Sequence, residues 1–324
     1  MDVLSDVLRV IRISGAALFR GEFSAPWCVE APPAREVAPL LAPGAARVIL
    51  FHVVAEGTCW VQRHGSPPLE LVAGDVIMVP QGDAHTLADA PGREATPVAA
   101  LLPPPPWAGL PRLTHGGSGP ATRILCGFLH SDEAFLHPLL TTLPPLLCVR
   151  SRRSEPAPRL ETLLRYTLEE ATSGRPGAAC MLTRLTDVLI VEILRRYMEE
   201  LPTERLQPWV ALDDPVVRHA LELLHAAPAR AWTLHELARG AGASRSVLAE
   251  RFKALTGCTA MQYLTRWRLQ VAVLRLRESR ESTARVAAAV GYESEAAFSR
   301  AFKRHLGEPP ATWRRHHGQP SSPA

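Results

Sequence analysis

The stretch Ser294-Glu-Ala-Ala-Phe-Ser-Arg-Ala-Phe302-Lys303, closed by Gly307, repeats in outline a stretch 50 residues earlier: Ser244-Arg-Ser-Val-Leu-Ala-Glu-Arg-Phe252-Lys253, closed by Gly257. Lys253 and Lys303 are the only lysines in the chain. In each copy a serine stands where a helix N-cap is needed, and apolar residues four apart (Leu248 and Phe252, Phe298 and Phe302) mark an inward edge. A small-residue segment with a glycine turn precedes each: Leu237-Ala-Arg-Gly-Ala-Gly-Ala243 and Val286-Ala-Ala-Ala-Val-Gly-Tyr292. Helix, glycine-containing turn, helix is the layout of a helix-turn-helix. Two in tandem point to sequence-directed DNA binding.

Working outward, the pattern predicts helices at about 215–226, 233–241, 245–255, 259–279, 282–290, 295–305 and 309–315. The fourth carries Met261, Leu264, Trp267, Leu269, Val271, Val273, Leu274 and Leu276. Some 20 helical residues span about 30 Å, close to the roughly 34 Å between major-groove openings on one DNA face. A rigid connector of that length can seat two recognition helices in adjacent grooves.

Stepping 100° per residue from Leu248, the outward positions are Ser246, Ala249, Glu250 and Lys253, matched by Ala296, Ser299, Arg300 and Lys303. With Arg245 and Glu295 added, these ten residues are the candidate DNA contacts. Arg300 can pair bidentately with guanine, and Glu250 can accept from a cytosine amino group. The lysines sit later and suit phosphate contacts, which add affinity and salt dependence without sequence information.

Charge follows the same division. The 324 residues carry a net +4, yet from Ala211 onward there are 17 Lys+Arg against 10 Asp+Glu, so the larger preceding part is slightly acidic. A basic carboxy-terminal third behind a non-DNA domain is the expectation. No apolar run reaches the roughly 18 residues of a membrane helix, and the acidic start Met1-Asp-Val-Leu-Ser-Asp6 lacks a signal-peptide layout. The six cysteines (28, 59, 126, 148, 180, 258) show no C-x-x-C spacing. A cytoplasmic protein with reduced thiols is expected. There is no Ser-His-Asp spacing, P-loop or dinucleotide fingerprint, so hydrolase, kinase and dehydrogenase roles have no support.

The first 150 residues show short apolar runs between turns: 47–54, 59–62, 69–72, 75–79 and 122–129, with a proline-rich loop at 101–111. From Pro158 the period changes to helical. Leu160, Leu163, Leu164, Thr167 and Leu168 mark one helix ending near 174–177, and Leu182, Leu185, Leu189 and Ile193 mark a second reaching about Glu200. This pair must pack on a domain or on a second subunit. Pro202 to Pro215 reads as a linker.

Residues 216–316 resemble the DNA-binding domain of the AraC/XylS family of transcription regulators. The second copy, Val286 to Lys303 followed by Gly307-Glu-Pro-Pro-Ala-Thr-Trp-Arg314, nearly fills that family's signature, with Trp313 where the family often has Tyr. The resemblance implies promoter DNA and RNA polymerase as partners, and activation as the usual outcome. In the amino-terminal half, Gly74-Asp-Val-Ile-Met-Val-Pro80-Gln-Gly82-Asp-Ala-His85 has the G-x5-P-x-G-x2-H spacing of cupin barrels. Ala25-Pro-Trp-Cys28, Gly57-Thr-Cys-Trp60 and Cys126-Gly-Phe128 followed by Leu143-Pro144 also resemble the cupin-type sensor of some AraC-like regulators. The fold expected is therefore α+β: a cupin-like antiparallel β-barrel over 1–150, a helical linker or dimerisation segment over 155–205, and an all-α domain over 213–316. Its two helix-turn-helix motifs fall at about 233–254 and 282–304.

A barrel interior is a natural ligand cavity, and Phe51, His52, Trp60 and His85 are the candidate lining, with Trp27 nearby by analogy. In an extended strand His52, Val54 and Glu56 share a face. His52, Glu56 and His85 would then form a two-His-one-carboxylate set suited to a divalent metal such as Fe(II). Val54 stands where a second histidine of that strand would be. The favoured function is a non-enzymatic transcription activator, controlled by a small molecule or an oxidant through the cupin domain, with a homodimer as a candidate assembly. The alternatives are a cupin metal-dependent oxygenase and a constitutive DNA-binding protein.

Overall fold

The computed structural model describes Asp6 and residues 14–41, 48–103, 107, 110–130, 143–150, 158–200 and 214–317. These fall into two compact units, one of 14–130 with 143–200 and one of 214–317 with Asp6. Nearly all of the expected 202–215 linker, and part of the proline-rich 101–111 loop, lie outside the described residues.

The first unit opens with β1 (Ser14–Ser24), β2 (Cys28–Ala31), α1 (Ala34–Leu41) and β3 (Val48–Glu56). There follow β4 (Thr58–Arg63), β5 (Leu69–Val72), β6 (Val76–Val79), β7 (His85–Ala88) and β8 (Thr96–Pro97). Then come β9 (Arg112–Gly116), β10 (Ala121–His130), β11 (Leu147–Val149), α2 (Pro158–Ser173) and α3 (Ala178–Glu200). The strands form two sheets, β11-β6-β3-β10-β1-β9 and β5-β4-β7-β2-β8. Where an antiparallel barrel was the expectation, the described strands form these two mixed sheets, with parallel pairings of β1 with β9 and of β2 with β8.

Both sheets contribute to one core. Phe19, Phe23, Val54, Ile77, Leu113 and Ile124 come from the larger sheet, and Val29, Cys59, Val61, Leu71 and Leu87 from the smaller. β3 is buried from Val48 through Val54 because both its faces are covered. It meets the smaller sheet through Val54 and α1 through Val48 and Leu50, while α3 packs on β1 and β11, which lie to either side of β3 in the sheet. A strand covered on two faces loses the in-out alternation that a half-solvated strand shows. Leu182, Leu185, Leu189 and Ile193 are the buried edge of α3, as their spacing predicts.

In the second unit the helices are α4 (Pro215–Ala226), α5 (Leu234–Gly240), α6 (Arg245–Thr256), α7 (Ala260–Glu278), α8 (Thr283–Ala289), α9 (Glu295–Leu306) and α10 (Pro310–His317). Their bounds follow from the caps. Asp214 accepts from Val216 N and Val217 N, Thr233 and Thr259 each form a capping box, and Ser282 accepts from Arg285 N. Each cap satisfies backbone donors that a helix start otherwise leaves unpaired.

α7 belongs to both halves of this unit. Its Tyr263 ring meets Phe252 of α6 edge-on at 5.6 Å. Its Leu269, Ala272, Val273 and Leu276 join Val286, Val290, Phe298, Phe302 and Trp313 in one cluster. Trp313 lies 6.1 Å from Phe302, with the Arg277 guanidinium 5.5 Å above its ring. It thus fills the packing role expected of it. Three residues of the expected apolar set, Met261, Val271 and Leu274, are only half-buried, while Tyr263 and Gln270 are fully buried. A helix gripped from two sides has no single apolar stripe. Among the described residues no helix is long and apolar enough to cross a membrane.

The second turn is the tighter of the two. Gly291 has φ +86°, and a Cβ there would lie 2.6 Å from the Ala229 carbonyl oxygen. Gly307 has φ +85° but open space around it. Gly307→Ala should cost about 1 kcal/mol, the left-handed backbone penalty alone. Gly291→Ala should cost roughly 2–4 kcal/mol, because the loop at Ala229 must also move. Thermal unfolding of the two variants checks this, and equal losses would refute the close approach.

Candidate nucleic-acid interface and sensor core

The two helix-turn-helix motifs are built alike. In the first, Ser244 caps α6 by accepting from Val247 N at 3.3 Å, and Gly257 closes it at φ 72° with its N–H on the Lys253 carbonyl at 3.0 Å. In the second, Ser294 caps α9 by accepting from Ala297 N at 3.2 Å, and Gly307 closes on the Lys303 carbonyl at 2.9 Å. Leu248, Phe252, Phe298 and Phe302 are fully buried. That edge fixes which residues face out.

Arg245, Ser246, Ala249, Glu250 and Lys253 are exposed on α6; Glu295, Ala296, Arg300 and Lys303 are exposed on α9, and Ser299 is half-buried. Among the described residues none of the charged members of this set enters an ion pair, whereas neighbouring Arg251 is held by Asp214 at 3.2 Å. Lys253 and Lys303 occupy the last turns of their helices, where positive charge complements the helix dipole. The two outward faces differ in charge: α6 carries Arg245, Glu250 and Lys253, and α9 carries Glu295, Arg300 and Lys303.

In the first unit, His52 and His85 meet inside the sheet sandwich. The β3–β10 register sets His52 opposite Cys126. The turn from Val79 to Gly82, closed by Gly82 N on the Val79 carbonyl at 2.9 Å, brings the chain back so that His85 starts β7. The contacts form a chain: Cys126 Sγ to His52 Nδ1 at 2.8 Å, His52 Nε2 to His85 Nε2 at 2.8 Å, and His85 Nδ1 to the Asp83 carbonyl at 3.0 Å.

The proton positions follow from the last acceptor. A carbonyl only accepts, so His85 Nδ1 donates to it. Burial holds both imidazoles below their ordinary pKa, His52 far below, with His85 adding to that depression. Neutral His85 therefore accepts at Nε2, His52 donates from Nε2, and the Cys126 thiol donates to His52 Nδ1. Burial likewise pushes the Cys126 thiol well up, with Cys59 adding to it, and pushes the Cys59 thiol up to about 12. Each thiol is thus protonated.

This geometry corrects two expectations. Glu56 does not join the histidines. The register of β3 against β10 slips between Val54 and Glu56, so that Ala55 has no partner and Glu56 stands opposite Arg123. Such a bulge re-aims the following side chain. The Glu56 carboxylate is exposed and bound to Arg123 at 2.7 Å. Because His52 Nε2 already donates to His85, the residues present do not fit a two-His-one-carboxylate metal, and among the described residues no group of three such ligands occurs.

The ligand lining is also corrected. Strand alternation puts Phe51 on the face opposite His52, and Trp60 on the face opposite its core neighbours Cys59 and Val61. Only His52 and His85 point inward. Trp27 does lie in the core, 4.6 Å from Phe23. Nothing in the sequence ties Cys126 to His52, because only the sheet register joins residues 74 apart.

A neutral buried histidine pair makes a pH signature. The unfolded chain takes up protons near pH 6.5, while the folded pair resists them, so stability is fully present above pH 6.5 and falls on acidification. For His52, whose depression is the larger, the slope should approach the one-proton limit of about 1.4 kcal/mol per pH unit below pH 6.5, and for His85 it should be smaller. Unfolding midpoints of the wild type and His52→Gln across that range check it. A parallel pH dependence in the variant would contradict it.

The family comparisons agree with both units. Residues 2–199 match a family profile described as cupin, and residues 237–316 match one described as a helix-turn-helix domain. The chain is 36% identical over 282 residues to a putative AraC-like transcription regulator of Streptomyces lividans, covering 85% of this chain and 90% of the relative. It is 26% identical to the RCS-specific HTH-type transcriptional activator RclR of Escherichia coli, covering 84% of this chain and 86% of that one. Among solved structures, it is similar to the DNA-binding domain of AdpA in complex with a target DNA, with 30% identity, coverage of 32% of this chain and 91% of that one, and a TM-score of 0.30. The chain belongs to the AraC-type DNA-binding transcription regulators, with a cupin domain preceding its helix-turn-helix domain.

Proposed function

We propose that this regulator activates transcription, recruiting RNA polymerase at promoters where both recognition helices of one chain enter successive major grooves. The observation that carries the reading is α7. It has 19 residues, about 28 Å at 1.5 Å per residue, and its buried side chains tie both motifs to one core. Activation is the assignment of the E. coli relative's name, and it is the sign proposed here. Arg300 is proposed to read a base and Lys253 and Lys303 to contact phosphates, with Arg245, Ser246, Ala249, Glu250, Glu295, Ala296 and Ser299 completing the interface.

The cupin unit is proposed as the sensor and not as an enzyme. A small-molecule effector is favoured over an oxidant acting on the core thiols, because Cys59 and Cys126 are buried and protonated and the thiolate is the reactive form. A homodimer through α2 and α3 is also proposed, since Tyr166, Met181 and Val188 are exposed on these helices. A cytoplasmic location suits such a role.

Arg300→Ala should cost roughly 1–3 kcal/mol at one base position and relax preference there. Lys303→Ala should weaken all sequences alike and lower the salt slope by about one. Footprinting and binding titrations at several salt concentrations separate the two. Uniform weakening by Arg300→Ala would make it a phosphate contact, and an unchanged salt slope for Lys303→Ala would remove that residue from the interface.

A further inference from the structure

We propose that a cleft on the outer face of the six-stranded sheet, beneath α2, binds a small apolar monocarboxylate, with Arg20 as its anion partner. The cleft measures ≈360 Å³ and lies between β1, β3 and β10 on one side and the last turns of α2 on the other. That is within the range of small-molecule pockets, about 300–1,000 Å³. It is separate from the interior histidine pair, because Arg20, Glu22, Arg123 and Leu125 alternate along their strands with positions that hold the core residues Phe19, Phe23 and Ile124.

Two cross-strand rows line its floor, and they differ in charge. One row sets Glu22 opposite Arg123 and Arg123 opposite Glu56. Arg123 binds Glu56 at 2.7 Å, and Arg112 binds Glu22 from the other side. The third carboxylate of the cleft, Glu169 on α2, is bound by Arg165 at 3.5 Å. Every acid of the cleft is thus matched by a guanidinium. The other row sets Arg20 opposite the apolar Leu125, which is opposite Val53. Arg20 has no carboxylate in register, and its Nε is buried without a hydrogen-bond partner among the described residues.

Arg20 is half-buried, and its Nε donor lacks an acceptor, which a bound carboxylate would supply together with the opposite charge. A carboxylate offers two oxygens in the plane that the guanidinium fork prefers. With each cleft glutamate paired to an arginine, Arg20 is left as the cleft charge without an opposite among the described residues, and a single positive charge suits a monoanion over a phosphate ester dianion. Leu125, Leu168 and Ala171 supply the apolar surface for the body of the ligand. The roof is α2, so occupancy bears on the same helix pair that is proposed to dimerise. That regulatory consequence rests on the sensor reading above, and the binding chemistry does not.

The test uses the full chain, calorimetric titration with hexanoate and cyclohexanecarboxylate, and titration with their primary amides. The acids should bind saturably at one site, and the amides at least tenfold more weakly. Arg20→Met should lower acid affinity at least tenfold with an unchanged unfolding midpoint, and Arg20→Lys should restore part of it. Ala171→Trp, which fills the cleft from the helix side and leaves Arg20 in place, should abolish acid binding. Equal binding of acids and amides, full affinity in Arg20→Met, or no saturable binding of either acid would overturn the proposal. Promoter-DNA affinity measured in the same samples separates the two ideas. Arg20-dependent acid binding with unchanged DNA affinity supports the cleft and removes the sensor role.

Discussion

The shared core along α7 is the constraint on which the DNA-binding unit depends. Phe252 packs on Tyr263 at one end and Phe298, Phe302 and Trp313 pack on Val273 and Leu276 at the other. Each fully buried side chain of this size is worth about 1.5–3 kcal/mol, so detaching either motif would expose several of them at once. The two motifs therefore keep one spacing, and DNA must present its grooves at that spacing. Phosphate and base contacts can then add without the cost of ordering two loosely tethered domains.

The buried polar groups of the two units serve different ends. In the DNA-binding unit His225 lies stacked on Trp267 with ring centroids 3.8 Å apart, joins the Tyr263 hydroxyl at 2.7 Å, and sits 3.6 Å from Asp6. That places a residue from the chain's start against the connector core. In the cupin unit the chain from Cys126 through His52 and His85 to the Asp83 carbonyl satisfies each buried ring nitrogen. Such a chain tolerates neutral histidines in an apolar interior. It also occupies the lone pairs that a metal would need, which is why a motif with metal-binding spacing holds a different chemistry here.

A single-residue slip in strand pairing has the larger effect on the cupin unit's surface. By leaving Ala55 unpaired, the bulge sends Glu56 outward to Arg123 and takes it from the histidines. The same slip completes the charge-matched row beside Arg20. One backbone irregularity thus separates a sealed, neutral interior from a charged outer cleft.

The local features were legible without coordinates. Caps at Ser244 and Ser294, apolar pairs four apart, and glycines at 257 and 307 act within one turn of helix, so the seven helices and the outward residues of α6 and α9 could be placed from short-range chemistry. Alternation of apolar Phe19 and Phe23 with polar Arg20 and Glu22 is the local signal of β1, a strand whose small residues and glycines mask its apolar content. Tertiary structure alone decided which residues meet across strands: His52 with Cys126, Glu56 with Arg123, and Arg20 with Leu125. Those pairings come from sheet register, which a single residue shifts and which depends on contacts between strands tens of residues apart. Local sequence determines helix caps because the partners are three residues away, and it leaves register open because the partners are not.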